Sequence, residues 1–165
     1  MLGSGGATKQ EHRLSDHVRR YVESNGADGH FWRKGAPTLV LTTIGRRSGE
    51  PRSTALIYGR DGDRVLVVAS RAGAQLHPWW YLNLQANPRV TVQVLADQFS
   101  AIATTASPEE RQPLWDTMCA IWPSFVVYQG KTAREIPVVI LTREPAAEGD
   151  GATDELVGSG GSTLP

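Results

Sequence analysis

Three stretches of this 165-residue chain carry residues whose types and spacing could do chemistry. The first is Thr42-Thr43-Ile44-Gly45-Arg46-Arg47-Ser48-Gly49-Glu50-Pro51-Arg52. Its two glycines permit a tight turn between strands, because glycine takes positive φ without a steric penalty. Three arginines surround that turn. Such a bend offers backbone N–H groups and guanidinium forks to an anion, since Arg meets phosphate or carboxylate oxygens in pairs. From Arg33 to Arg64 there are seven basic residues against three acids. The same residues also read as a solvated hairpin turn, and charge alone favours that plainer reading.

The second stretch runs from Val68-Ala69-Ser70 through Arg71-Ala72-Gly73-Ala74-Gln75-Leu76-His77 to Pro78-Trp79-Trp80-Tyr81. A strand ends in small residues, a loop follows, and a helix opens on three aromatics. Small residues let a flat ring approach the backbone, and a helix start offers free N–H donors to a ring oxygen or a phosphate. Large aromatics can wall a ring pocket, although at least one of the three belongs to the core. The third stretch, Trp122-Pro123-Ser124-Phe125-Val126-Val127-Tyr128, spaces three aromatic rings by three. On a helical or turn-like segment Trp122, Phe125 and Tyr128 share a face, either covering a planar substrate or packing.

Other chemistries lack their residues. No G-x-G-x-x-G opens a helix after a strand, and there is no G-K-[ST] loop or H-E-x-x-H. The four histidines do not stand with acids at metal-ligand spacing, so no metal site is expected. His12 and His17 read as solvated, and His77 as a cap for the following helix. The single cysteine, Cys119, falls among helical core positions and reads as an inert buried thiol. No G-x-S-x-G elbow supports a serine nucleophile. An enzyme built this way needs an organic cofactor. A net charge of zero gives no reason to expect nucleic-acid binding. No apolar run approaches the roughly 20 residues that span a bilayer, and Met1–Gln10 lacks the pattern of a secretory signal, so the cytoplasm is the expected compartment.

The elements that must position these residues follow from pattern. Residues 1–10 and 145–165 are rich in Gly, Ala and Ser or acidic, and are expected to be disordered. One domain is expected over 11–144. Leu14, Val18, Tyr21 and Val22 share a helix face that Asn25-Gly26 ends. That helix either packs on the domain, or touches a membrane or lids the site. Strands are expected at 38–44, 52–60, 64–70, 90–95, 99–104 and 137–142, with Asp61-Gly62 as a hairpin turn and another turn near Ala96-Asp97. Helices are expected at 78–86 and, from the capping box Ser107-Pro108-Glu109-Glu110, to about Ile121. Pro113 predicts a kink or a lost hydrogen bond there. Six strands with inserted helices argue for an α+β fold or an antiparallel barrel.

Taken in order, these segments resemble the deazaflavin-dependent nitroreductase family, a branch of the flavin/deazaflavin split β-barrel superfamily. The resemblance is carried by Leu41 to Arg52, Asp61-Gly62-Asp63-Arg64, Val67-Val68-Ala69-Ser70, His77-Pro78-Trp79-Trp80-Tyr81-Leu82-Asn83-Leu84, Ala86-Asn87-Pro88 and Ile136-Pro137-Val138-Val139. It implies an antiparallel split β-barrel with flanking helices that binds coenzyme F420. It implies that Arg46, Arg47, Ser48 and Arg52 hold the phosphate and polyglutamate tail, that Ala69, Ser70 and Gly73 line the deazaflavin ring, and that Pro78, Trp79 and Trp80 lie near its phosphate or ribityl side. Trp122, Phe125 and Tyr128 fall on the substrate side, with Ser70 and Tyr128 as hydrogen-bonding or proton-donating groups. Trp122 and Phe125 stand where family members carry tyrosines, which bears on the acceptor. The implied reaction passes a hydride from reduced deazaflavin to a quinone, an enone or a nitroaromatic. Rival readings are an FMN-binding split-barrel oxidoreductase and a non-catalytic carrier of deazaflavin or lipid. The oligomeric state, monomer or homodimer, stays open.

Overall fold

The structure, a computed structural model, describes residues 9–145. The expectations for 1–8 and 146–165, and the face taken by Leu14, lie outside what it describes. Seven strands form one antiparallel sheet: β1 (Thr38–Ile44), β2 (Pro51–Ile57), β3 (Gly59–Asp61), β4 (Arg64–Val68), β5 (Arg89–Val94), β6 (Asp97–Thr105) and β7 (Val138–Arg143). Their order is β2-β1-β5-β6-β7-β4-β3. The sheet curls until β2 approaches β4, giving the α+β split barrel that the resemblance implies.

The one expected strand over 52–60 is two strands. It breaks at Tyr58, where the chain changes partner: Tyr58 N still donates to Pro37 O in the β1 register (3.1 Å), whereas from Gly59 the chain pairs with β4. The hairpin between β3 and β4 pairs Asp61 with Arg64, so its turn residues are Gly62 and Asp63 rather than Asp61 and Gly62. Likewise Val94 pairs with Asp97, and the β5–β6 turn is Leu95-Ala96, one residue earlier than expected. Leu95 there is left-handed (φ 57°).

The core lies on both faces of the sheet. Alternation sends Val65, Val67, Val139 and Leu141 to the inside of the curl, where Trp80, Tyr81 and Leu84 pack on them. It sends Leu66, Val68, Val138 and Ile140 to the other face, against Leu114, Trp115, Met118 and Phe125. β4 and β7 are thus covered on both faces, and this is why they read as unbroken apolar runs.

Four helices cover the barrel: α1 (Lys9–Glu23), α2 (Trp79–Ala86), α3 (Pro108–Ile121) and α4 (Ser124–Gly130). α1 packs on β1 and β2. Its Tyr21 is fully buried, donating its hydroxyl to Thr38 O and accepting from Leu95 N, each at 2.9 Å. Val22 is exposed, because it lies one step round from the buried stripe. At Gly26 (φ 85°) a Cβ would stand 2.7 Å from Leu95 Cα, so this helix end admits only glycine.

Half of the expected capping box on α3 forms. Ser107 Oγ accepts from Glu110 N (3.3 Å), while the Glu110 carboxylate turns to Arg64 (3.0 Å). The helix continues through Pro113, whose ring is exposed. The sequence predicts only a helical or turn-like stretch for α4, and it is a helix that begins after Trp122-Pro123.

Candidate functional site

The Gly45–Gly49 bend closes the β1–β2 hairpin. Gly45 N donates to Glu50 O and Gly49 N to Gly45 O, each at 2.8 Å, and Gly49 is left-handed (φ 75°). A Cβ on Gly45 would stand 2.6 Å from Ser48 Oγ. Ser48 is held there by accepting from Glu50 N (3.1 Å). The bend is moored to α2 by Asn83, a buried side chain. Asn83 Oδ1 accepts from both Arg46 N and Arg46 Nη1 (3.1 Å each), and its Nδ2 donates to Thr43 Oγ1 (3.1 Å). Arg46, Arg47 and Arg52 are exposed. Among the described residues none of them forms an ion pair.

Beyond β4 the chain takes an unusual path. After Ser70, residues Arg71 (φ 46°), Ala72 (φ 53°) and Gly73 (φ 85°) are all left-handed. Left-handed backbone costs a residue with a side chain about 1–2 kcal/mol, so the surroundings must hold this loop. Two contacts do so. A Cβ on Gly73 would stand 2.8 Å from Tyr128 O, so glycine brings the loop flat against α4. The Arg134 guanidinium donates to the carbonyls of Ala69 (3.3 Å), Ser70 (2.9 Å) and Ala74 (2.9 Å).

Arg134 also donates to His77 Nδ1 (3.0 Å). His77 therefore does not cap α2. Its lone pair faces Arg134, which leaves the neutral ring protonated on Nε2. Burial, and then the Arg134 charge, push its pKa down. α2 starts after Pro78 with no side-chain cap, so its first N–H groups stay available to an acceptor.

Loop, helix start and aromatic stretch meet around a cavity of about 590 Å³. Ser70, Pro78, Trp79, Trp80, Trp122, Phe125 and Tyr128 all line it, across from Thr54 to Ile57 of β2. Among the described residues no acidic side chain lines it, while Arg71 and His17 do. Ser70 Oγ has no hydrogen-bond partner among the described residues. Trp122 Nε1 donates to Tyr128 OH (3.4 Å), and Trp32 lies over Trp122 with centroids 5.6 Å apart.

Ala69 and Gly73 are buried behind this wall rather than on it. Arg46, Arg47, Ser48 and Arg52 are outside the cavity, at the far end of the strand that walls it. Arg52 is two residues before Thr54 on β2, a rise of about 7 Å.

Several participants escaped sequence reasoning. Asn83 sits mid-helix with nothing to mark it. Arg134 is a lone arginine in a turn, and its partners are 57 to 65 residues away. Trp32 comes from a loop that carried no motif. His17, read as solvated, is half-buried and bonds Gly29 O (2.8 Å). Cys119 is half-buried, and burial raises its thiol pKa. Among the described residues no group of three potential metal ligands comes together, and no helix is long and apolar enough to cross a membrane.

The family model described as F420H(2)-dependent quinone reductase matches residues 13–143. An F420H(2)-dependent quinone reductase of Mycobacterium tuberculosis is 40% identical over 134 residues, which is 79% of this chain and 89% of that protein. The solved F420-H2 dependent reductase FDR-A is 36% identical with a TM-score of 0.60, over 64% of this chain and 93% of its own. A chain described as a domain-swapped dimer is 32% identical with a TM-score of 0.63, over 81% of this chain and 99% of its own. The fold and these relatives define an F420-dependent reductase. The chain belongs to the F420H(2)-dependent quinone reductase family, and its cofactor is coenzyme F420.

The residues fit that cofactor. It is flat at one end and acidic at the other. Among the described residues the glycine-tight bend holds three guanidinium groups without a carboxylate partner, and the cavity has small residues, aromatic walls, an uncapped helix start and no acid.

Proposed function

We propose that this protein reduces a planar quinone-like acceptor, with enones and nitroaromatics as further acceptors of the same shape. The observation that carries this reading is the single cavity shared by the Ser70–Ala72 loop and the Trp122, Phe125 and Tyr128 wall. Bound F420H2 supplies two electrons as a hydride. Arg46, Arg47, Ser48 and Arg52 grip the acidic tail, and the start of α2 with Pro78, Trp79 and Trp80 takes the phosphate or ribityl side. Ala69, Ser70 and Gly73 shape the bed for the ring. Trp122, Phe125 and Tyr128 hold the acceptor on the open face, which converts an encounter into an oriented transfer. Ser70 Oγ and Tyr128 OH hydrogen-bond the acceptor oxygen and relay the proton that accompanies the hydride. The missing hydroxyls at Trp122 and Phe125 favour an apolar, quinone-like acceptor.

The test is titration of the purified apo protein with F420 and with FMN, followed by turnover of F420H2 with quinones, enones and nitroaromatics. F420 binding with quinone turnover is expected. FMN binding without F420 binding would remove this reading, and F420 binding without any turnover would favour a carrier.

A second reading concerns access to the acceptor. Phe31 is 72% exposed and is followed by Trp32, Arg33 and Lys34, a tip suited to a lipid surface. This favours the 31–34 tip over α1, which is docked on the barrel. Co-sedimentation of wild type and Phe31→Ser with anionic vesicles tests it.

A further inference from the structure

The proposed function gives Arg134 no part, yet its side chain organises the loop that function uses. Arg134 follows α4. It donates from Nε to Ala74 O (2.9 Å), from Nη1 to Ala69 O (3.3 Å) and His77 Nδ1 (3.0 Å), and from Nη2 to Ser70 O (2.9 Å). All four acceptors lie on the segment that joins β4 to α2. The fork is anchored from behind, where Arg134 O accepts from Gln129 Nε2 (2.8 Å) and Arg134 N donates to Thr132 Oγ1 (3.3 Å). Among the described residues no carboxylate pairs with it. A half-buried cation whose side chain is answered only by carbonyl dipoles and an imidazole lone pair is held for its geometry rather than for an ion pair.

That geometry addresses a specific problem. Arg71 and Ala72 are left-handed in succession, which their own side chains disfavour. The carbonyls on either side of them, those of Ser70 and Ala74, both end on the same guanidinium plane. The same side chain ties the loop to the turn after α4, the helix that carries Tyr128. The loop and the aromatic wall of the cavity are therefore joined through a residue outside it, in addition to the close approach of Gly73 to Tyr128.

We propose that Arg134 is the positioning residue that holds the Ser70–Gly73 loop in its cofactor-receiving shape and fixes it against the α4 wall. The inference rests on the reading that the F420 ring lies on this loop. A lysine cannot replace Arg134, because a single ammonium cannot meet four acceptors spread around a planar fork.

The experiment compares wild type, Arg134→Lys and Arg134→Ala by F420 titration, near-ultraviolet circular dichroism and steady-state kinetics, with and without millimolar methylguanidinium. F420 affinity of both variants should fall about tenfold or more, the scale of a lost charge-assisted hydrogen bond. The KM for the acceptor at saturating F420 should stay near wild type, and methylguanidinium should restore F420 binding to Arg134→Ala. Wild-type F420 affinity in both variants overturns the proposal, as does weakened binding that methylguanidinium leaves unchanged. Should Arg134→Ala fail to fold, Arg134→Lys decides: lost affinity with an unchanged dichroism spectrum supports the proposal, and retained affinity overturns it. Failure of the wild-type protein itself to bind F420 would instead remove the reading beneath it.

Discussion

Arg46 and Asn83 meet at a single oxygen: both the backbone N–H and a guanidinium N–H of Arg46 donate to Asn83 Oδ1, each at 3.1 Å. They are 37 residues apart. Their contact sets the angle at which the arginine bend stands over α2, and so its relation to the cavity that α2 helps to wall.

Asn83→Ala should leave the Arg46 N–H and Thr43 Oγ1 without their partner and lower stability by about 1–3 kcal/mol. Asn83→Asp should keep the mooring but place a carboxylate beside Arg46, weakening F420 binding more than it lowers the melting temperature. Thermal melts and F420 titrations on the two variants check both outcomes.

The exposed arginines should behave differently. Arg47→Ala and Arg52→Ala should each weaken F420 binding by roughly 1–3 kcal/mol, with stability within about 0.5 kcal/mol of wild type. Raising the salt concentration should narrow the gap, because exposed charges are screened. Titration at two ionic strengths measures this. Lost stability with unchanged binding would mean that the bend is purely structural.

Gly73→Ala combines a positive φ with a Cβ 2.8 Å from Tyr128 O. It should destabilise the protein by about 2–3 kcal/mol and impair F420 and acceptor binding together, since loop and α4 must separate. Urea denaturation and the two KM values report it. A well-folded variant with only one KM changed would contradict the coupling.

Acid should destabilise the fold through the buried imidazole of His30 and the half-buried one of His77. Burial lowers the pKa of His30, and burial with Arg134 lowers that of His77. The unfolded chain then binds these protons first. Their stabilising contribution is complete above an unfolded-state pKa of about 6.5, and it is lost as pH falls from there through the folded-state values. Urea midpoints should fall between neutral and mildly acidic pH, and His30→Asn should fall less. Equal loss in the variant would assign the effect elsewhere.

The barrel was largely legible before any coordinates. β4 and β7 announce themselves as apolar runs because both faces are covered, and Ser107 marks the start of α3 because its hydroxyl caps Glu110 N. The arginine bend was legible as a motif because its glycines and arginines are contiguous. The split of 52–60 was not, since it follows from the chain changing partner after Tyr58, from β1 to the distant β4. The role of His77 is hidden for the same reason: beside Pro78 it reads as a cap, while its partner, Arg134, is 57 residues away.

Local order along the chain thus determined the strands, the bend and the small-residue loop, because those depend on periodicity and on the steric freedom of glycine. Tertiary structure alone decided that the loop, α2 and α4 enclose one cavity, and that Asn83 and Arg134 set its walls. Those contacts join residues 37 to 65 positions apart. A hydrogen bond across that distance leaves no periodic trace in sequence, because only the folded sheet brings donor and acceptor together.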